Sequence, residues 1–430
     1  MHIIQDIISL HKSGKHSGIF SCCSANEYVI RAVLRRAKKH NLHVLIESTA
    51  NQVNQFGGYT GQTPESFAAW CYQLAKQENF DESALILGGD HLGPLTWTGL
   101  CEDEAMENAC KLVSDYVLAG FTKIHIDTSM KLASDEVNIS LSDDIIAKRG
   151  AVVCAAAEKA FEKRKSMFPS SISPVYVIGS EVPIPGGATE AEGPTVTSPG
   201  NCKKTISAFK NAFEKEGLTE AWNRVTAVVV QPGVEFGEDE VFVYNRKKAS
   251  SLCQTIKDYP SLVFEGHSTD YQPRYALREM VEDGIVILKV GPALTFALRE
   301  ALIALELIEK ITLRGRGMIL SCFSDALETA MLEKPGNWNK HYQGDGFKQR
   351  ISRAYGFSDR ARYYLPEPAV AEAIGRLIAN LSSPVPLPLL SQFMPTQYIR
   401  VREQQLENNV HELILDRIGD CVDDYIHALK

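Results

Sequence analysis

The sequence predicts an α/β fold, a (β/α)8 TIM-type barrel followed by a helical C-terminal extension, and three observations carry that reading. Short continuous apolar runs alternate with amphipathic stretches before Gly315, the pattern of buried parallel strands joined by crossover helices. Nearly every run ends in polar residues, as at the carboxyl face of a barrel, where this architecture holds its ligands. Eight such repeats occupy about 290 residues, close to the roughly 250 of a barrel before insertions. A doubly wound sheet also alternates strand and helix, but eight units favour closure.

Taken in order, a helix over 3–11 leads to strand one at 18–21. Residues 24–41 then show helical spacing of Val29, Val33 and Ala37 with a basic end that suits the helix dipole. Strand two at 43–47 ends in STANQVNQFGGYTG, a loop too rich in Asn, Gln and Gly for a plain connector. Thr63 caps the next helix, 64–77, ahead of its proline. Strand three is LILGGDHLGP, 85–94: Leu85, Ile86 and Leu87 form the strand, Gly88 and Gly89 turn the chain, and Asp90 and His91 follow. A helix over 102–118 leads to strand four, 123–127, whose alternation puts His125 and Asp127 on one face. A long helix over 142–168 opens on a Ser–Asp–Asp cap. Strand five, 175–179, ends at Glu181, and 183–201 is a Pro/Gly/Thr-rich loop. Helix 203–216, strand six at 227–230, helix 246–257, strand seven at 262–265, helix 273–282, strand eight at 285–290 and helix 295–310 complete the set. The barrel thus takes residues 1–315. Residues 316–430 read as a helical extension packed on the barrel or on a partner, with helices at 318–334, 367–381 and 401–428. Between them, 335–366 is loop-rich and holds SDRARYYLP.

Composition narrows the function classes. The 430 residues are 44% hydrophobic and 23% charged, enough for a sizeable core. A net charge of −8 with no basic stripe argues against nucleic acid. Small anions stay possible, because local cations and helix N-termini bind them inside an acidic protein. Ten cysteines without a CxxC pair, and no signal peptide, point to the reducing cytoplasm. No apolar run approaches the roughly 18 residues of a membrane span.

Strand ends two to eight deliver Glu47, Asp90 and His91, His125 and Asp127, Glu181, Gln231, His267 with Ser268 and Asp270, and Lys289. His91, Glu181 and His267 are the ligand types a catalytic Zn2+ uses, with one position left open. Such a metal would polarise a ketone oxygen and stabilise an enediolate. Asp90, next to a ligand, is the expected proton-transferring carboxylate, with Asp127 and Lys289 as further catalytic groups. Lys289 is expected to pair with Asp127, and His125 reads equally well as a satisfied core histidine. Substrate contacts are expected from Asn51, Gln52 and Gln55 in the long loop and from Gln231, Ser268 and Asp270. Gly291, opening the last barrel helix, and Arg299 inside it would hold a phosphate, although Arg299 also reads as surface charge. Arg360, Arg362, Tyr363 and Tyr364 read first as a packed tail, and otherwise as a cap over a ligand or a hold on a partner subunit.

The motifs NQVNQFGGYTG, GGDHLGP, EVPIPGG, VVVQPGVEF, HSTDYQ, ILKVGPALTFALRE and SDRARYY resemble the Z-type subunit of D-tagatose-1,6-bisphosphate aldolase, the GatZ/KbaZ family. The resemblance covers essentially the whole chain. The chain departs from the family pattern at Leu95, Thr96, Thr128 and Gly266, none of them a candidate ligand. The resemblance implies a non-catalytic partner needed for the activity and stability of a Y-type, zinc-dependent class II aldolase subunit. That system serves tagatose, galactitol and N-acetylgalactosamine catabolism and yields glycerone phosphate and glyceraldehyde 3-phosphate. Members have also been labelled tagatose-6-phosphate kinases, yet the chain has neither a Walker-type loop nor the kinase glycine loop and DFG set. The strand-end residues open a second expectation: a divalent-metal site that binds a ketose phosphate and supports aldol cleavage or 4-epimerisation by the chain itself. Such a chain would also be compatible with a homo-oligomer.

Overall fold

Eight parallel strands close into a barrel in the computed structural model, which describes residues 2–136, 138–179 and 193–430. Glu181 and much of the 183–201 loop lie outside the described residues. The barrel strands are β1 (Ile19–Cys22), β2 (Val44–Thr49), β3 (Leu85–Leu92), β4 (Lys123–Ile126), β5 (Val175–Ile178), β6 (Val225–Val230), β9 (Val263–Gly266) and β10 (Ile285–Val290). A short antiparallel hairpin, β7 (Glu235–Phe236) with β8 (Val241–Phe242), rides on the loop after β6. The strands pair in sequence order, and β1 against β10 closes the ring. Every barrel strand reads as a run of buried residues because helices cover its outer face. Among the described residues, no helix is long and apolar enough to cross a membrane.

Alternation along each strand sends every second side chain into the barrel, and the chemistry inside changes with height. Low in the barrel, Ile19, Leu45, Ile86, Val175, Val177, Ala227, Val229, Val263 and Ile287 form an apolar plug. Ile4 and Ile8 of helix Ile3–Lys12 join it. Two residues further along their strands stand Ser21, Glu47, Glu265 and Lys289, and Lys123 joins them from β4, all buried. Lys123 Nζ lies 2.6 Å from Glu47 Oε1 and 2.7 Å from Glu265 Oε2. Lys289 pairs with the other oxygen of Glu47 and lies 2.8 Å from Asp90 Oδ1. Ser21 donates to Glu47 Oε2 at 2.6 Å. Lys289 therefore does not pair with Asp127, because β2 and β3 carry its carboxylates directly beside it.

The expected turn at Gly88–Gly89 is instead the middle of β3, which runs to Leu92. The two glycines are there for space. A Cβ on Gly88 would lie 2.6 Å from Glu47 Oε1, and one on Gly89 would lie 2.5 Å from Leu92 Cδ1 and 2.8 Å from the Tyr116 ring. Elsewhere the differences are at element ends. The last barrel helix starts at Pro292 rather than 295, since proline fits the first helical position. The helix after β5 starts at Pro199, where Ser198 caps it, so the loop ends sooner than expected.

The extension is more helical than the sequence suggests. Phe323–Glu333, Gly346–Tyr355, Pro368–Asn380, Leu387–Phe393, Pro395–Arg402 and Val410–Leu429 are helices. The helix expected over 401–428 is broken into two, with Asn409 capping the second segment through the Glu412 amide. Helix Val410–Leu429 packs on barrel helices Glu27–His40, Arg274–Glu282 and Pro292–Leu313. Its core side chains belong to the same continuous apolar cluster as the outer barrel.

The Gly88 contact gives a direct test. Gly88→Ala would push the Glu47 carboxylate off both lysines, and breaking a buried ion pair costs about 3–5 kcal/mol. Gly99 is exposed with open space at its Cβ position, so Gly99→Ala should stay within about 0.5 kcal/mol of the parent. Urea unfolding of the two variants measures the difference.

Candidate functional site

Asp90 and His91 are sequence neighbours on a strand, yet both reach the barrel mouth. Gly89 pairs with Ile124 and Leu92 with Ile126, so three steps along β3 match two along β4. The extra residue is a bulge, a device that re-aims side chains. His91 takes a left-handed φ of 50° there, a conformation that costs a non-glycine residue about 1 kcal/mol or more and is held by its surroundings. Gly93 follows because a Cβ at that position would fall 1.7 Å from the Asp127 carbonyl oxygen. Ser268, beside His267, is also left-handed, at 52°.

Three imidazoles meet above the charged layer. The ring centroids of His91, His125 and His267 lie 4.9, 5.1 and 5.3 Å apart in their three pairings. Each ring has one nitrogen committed to an acceptor that fixes it as the protonated one. His91 Nδ1 faces Asp127 Oδ2 at 2.7 Å, His125 Nε2 faces the Gly179 carbonyl at 2.9 Å, and His267 Nε2 faces Glu265 Oε1 at 2.9 Å. The second nitrogen of each ring carries a lone pair whenever the ring is neutral, the state a metal ligand needs. A carboxylate or carbonyl holding the far nitrogen of an imidazole is the support that metal-ligating histidines receive. One ligand atom from each of Asp90, His91, His125 and His267 lies within 4.8 Å of the others.

One contact in this group is unsatisfied as it stands. With its proton on Nε2, His125 Nδ1 accepts the His91 amide at 3.2 Å while also lying 2.8 Å from Asp90 Oδ1. Two acceptors at that distance need a second proton or a cation between them. The charge balance agrees. Four buried carboxylates (Glu47, Asp90, Asp127, Glu265) face two ammonium groups (Lys123, Lys289), leaving two negative charges among these residues with His91 neutral and one with it protonated. A divalent cation would offset the two. The donor set of imidazole nitrogens and one carboxylate suits zinc and its neighbours in the first transition row, so these residues fit a metal.

The ionisation of the groups follows from the same neighbours. Burial works against charge on His91, but Asp90 and Asp127 outweigh it and raise its pKa to about 8. His267 goes the other way: burial lowers it to about 3 despite Glu265. Asp127 is buried yet held down at about 2 by His91. Asp90 and Glu265 are likewise buried but sit well below the carboxylate range, Asp90 through Lys289 and His91, Glu265 through Lys123 and Lys289. Lys289 is raised well above its ordinary value, since its carboxylates outweigh the burial.

Asp90, His91, Asp127, His267 and Lys289 line a cavity of about 310 Å³ at the mouth, together with Asn51, Gln52, Ser268, Asp270 and Gly291. This volume is at the small end for ligand pockets. Four sequence-based expectations land elsewhere or in another role. Gln55 points to an outer groove and donates to the Asn108 carbonyl at 3.2 Å. Gln231 braces its own turn, accepting from the Gly233 and Val234 amides at 2.8 and 3.0 Å. Arg299 is neither surface charge nor in the mouth; it is buried against Asp359 at 2.8 Å. Gly291 lines the mouth, but its amide and that of Ala293 donate to Asp270 Oδ1 at 3.0 and 2.8 Å, so a carboxylate already occupies that helix N-terminus. Glu181 lies outside the described residues. Sequence reasoning left His125 undecided, read Arg362 and Tyr363 first as a packed tail, and passed over Lys123, Glu265 and Tyr59. For Lys123 and Glu265 a signal existed, namely a charge two residues before a histidine on the same strand.

A family model described as "D-tagatose-1,6-bisphosphate aldolase subunit GatZ/KbaZ-like" matches residues 4–430. A probable tagatose 6 phosphate kinase from Sinorhizobium meliloti 1021 is 42% identical. The match covers 96% of this chain and 100% of that one, with a TM-score of 0.86. The YdjI aldolase from Escherichia coli K12 is 13% identical over 87% of this chain and 98% of its own, with a TM-score of 0.39. A fructose-bisphosphate aldolase from Campylobacter jejuni is 14% identical over 88% and 91%, with a TM-score of 0.44.

The Asp127–His91 contact predicts how tightly a metal is held. In calorimetric titration with Zn2+ or Co2+, Asp127→Asn should weaken binding by about 10–100-fold, as loss of such a supporting partner does. His91→Ala and His267→Ala should bind more weakly still.

Proposed function

Since this chain belongs to the GatZ/KbaZ-like family of D-tagatose-1,6-bisphosphate aldolase subunits, we propose that it works in that aldolase beside a Y-type class II subunit and holds a metal-dependent ketose phosphate site of its own. The observation that carries the second half is the set of three imidazoles, each with one nitrogen held by a fixed outer acceptor and each offering a ligand atom within 4.8 Å of the others. A subunit that served only to stabilise a partner would not need that arrangement. His91, His125 and His267 would hold the ion, most simply Zn2+, with Glu181 as the further ligand the sequence suggests and Asp90 beside them. A divalent cation bound there supplies Lewis-acid polarisation of a sugar carbonyl.

The remaining chemistry falls to the chain's own side chains. Asp90, ionised and 2.8 Å from Lys289 Nζ, accepts the proton of the C4 hydroxyl. The C3–C4 bond then breaks and its electron pair moves toward the C2 carbonyl, the step common to aldol cleavage and to 4-epimerisation by retro-aldol chemistry. Lys289 keeps Asp90 ionised and places positive charge beside the oxygens that gain it. Asp127 orients His91. Asn51, Gln52 and Ser268 face the cavity and contact the sugar hydroxyls. Autonomous cleavage or epimerisation of a ketose phosphate by the chain itself is the less favoured reading, since the matching family is described as an aldolase subunit. A kinase reading has no phosphate-binding loop to rest on. Ten free cysteines support work in a reducing compartment, the cytoplasm.

Metal content and turnover of the isolated chain on tagatose and fructose 1,6-bisphosphates, alone and with a Y-type partner, test this. The expected result is a stoichiometric divalent cation, ketose phosphate binding that chelation removes, and loss of that function in His91→Ala while the complex persists. A metal-free chain that restores a Y-type partner fully, with His91→Ala and His267→Ala as good as the parent, would reduce it to a stabilising subunit.

A further inference from the structure

We propose that Arg362, delivered by the C-terminal extension, is the residue that binds the phosphate group of the ligand in the barrel mouth. This rests on the ketose phosphate reading above and assigns its charged end. Arg362 and Tyr363 form part of the cavity wall beside Ser268 and Asp270. The segment that carries them is pinned from both sides. Asp359, left-handed at φ 45°, accepts from Arg299 Nε at 2.8 Å and from the Thr295 hydroxyl at 2.5 Å. Tyr271 donates to the Phe357 carbonyl at 2.6 Å, and the Arg360 amide donates to the Tyr342 hydroxyl at 3.2 Å.

What distinguishes Arg362 is the company it keeps. Three of the buried arginines, Arg149, Arg299 and Arg353, each meet a carboxylate within 3 Å. Arg362 donates only to neutral oxygens: the Ser358 and Asp359 carbonyls at 2.6 and 2.9 Å through Nη1, and the Tyr363 hydroxyl at 2.9 Å through Nη2. Its guanidinium carbon lies 4.4 Å from the Tyr363 ring centroid. The nearby carboxylates are committed elsewhere, Asp359 to Arg299 and Asp270 to the Gly291 and Ala293 amides. Nε–H and one Nη2–H have no partner among the described residues, and two such donors are what a bidentate phosphate contact uses. A cation in a cavity wall without a counter-ion is costly, and a phosphate dianion removes that cost. Burial works against charge on Arg360 and tends to raise Tyr363, but Arg362 and Arg360 together hold the Tyr363 hydroxyl below its ordinary value. The mouth therefore has a cationic wall from the extension and a carboxylate-rich floor from the strands. A sugar phosphate has the matching polarity, charge at one end and neutral hydroxyls and carbonyl at the other.

The test is calorimetric binding of D-tagatose 1,6-bisphosphate, unphosphorylated D-tagatose and inorganic phosphate to the full chain, Arg362→Gln and Arg362→Lys, with thermal melting to confirm folding. Arg362→Gln should bind the bisphosphate about 10–100-fold more weakly, the effect of losing hydrogen bonds to a charged group, and lose inorganic phosphate, while D-tagatose binding is unchanged. Arg362→Lys, which keeps the charge and loses the fork, should fall between, and it gives the same comparison if Arg362→Gln melts early. Unchanged bisphosphate affinity in both variants, or equal loss of D-tagatose and bisphosphate, would overturn the assignment. If the parent binds no ketose phosphate, the functional reading fails by itself. Inorganic phosphate then decides for Arg362: bound by the parent and lost in the variant supports it, and no binding to the parent ends it.

Discussion

The buried ladder Glu265–Lys123–Glu47–Lys289–Asp90 is the constraint on which the rest of the structure depends. Charges inside a barrel are tolerated only when paired, and here the two oxygens of Glu47 are ion-paired with different lysines. That requirement reaches outward. It removes the side chain at Gly88, fixes Asp90 beside Lys289, and leaves Glu265 free to hold the far nitrogen of His267. The ladder is thus both the upper layer of the core and the floor of the site.

The position of the candidate site was legible in the sequence, because parallel strands announce themselves as short apolar runs and their polar carboxyl ends follow directly. Asp90, His91, Asp127, His267 and Lys289 all line the mouth for that reason. The extra residue in β3 was not legible. It depends on the register between two strands, and Gly88–Gly89 reads as a turn when the occupant of the space above Gly88 is unknown. Gln55 and Gln231 show a related failure: a polar residue in a loop or at a strand end is as readily used to satisfy the backbone of its own turn. Arg299 reads as surface charge until the extension brings Asp359 to it across 60 residues of sequence.

That last contact changes the meaning of the C-terminal region. The sequence marks residues 316–430 as a change of grammar after the eighth repeat, and the structure brings part of them to the wall of the barrel mouth. Arg299 and Thr295 on the last barrel helix grip Asp359, and the turn that follows lays Arg362 and Tyr363 across the mouth. Tyr363 meets Tyr59, from the loop after β2, edge to face at 5.2 Å. The site is therefore assembled from the amino-terminal strands, the carboxyl-terminal strands and the extension together. Truncating the chain near residue 315 would open it.

We propose that the imidazoles of His91, His125 and His267 meet, beside Asp90, on a divalent cation. Anomalous X-ray diffraction at the zinc absorption edge, from crystals grown with Zn2+, tests it most directly. A single strong peak bounded by His91, His125, His267 and Asp90 is the expected result, with Asp127, Gly179 and Glu265 keeping their contacts to the far ring nitrogens. A map with no peak there, and with His125 Nδ1 still directly against Asp90, would contradict it.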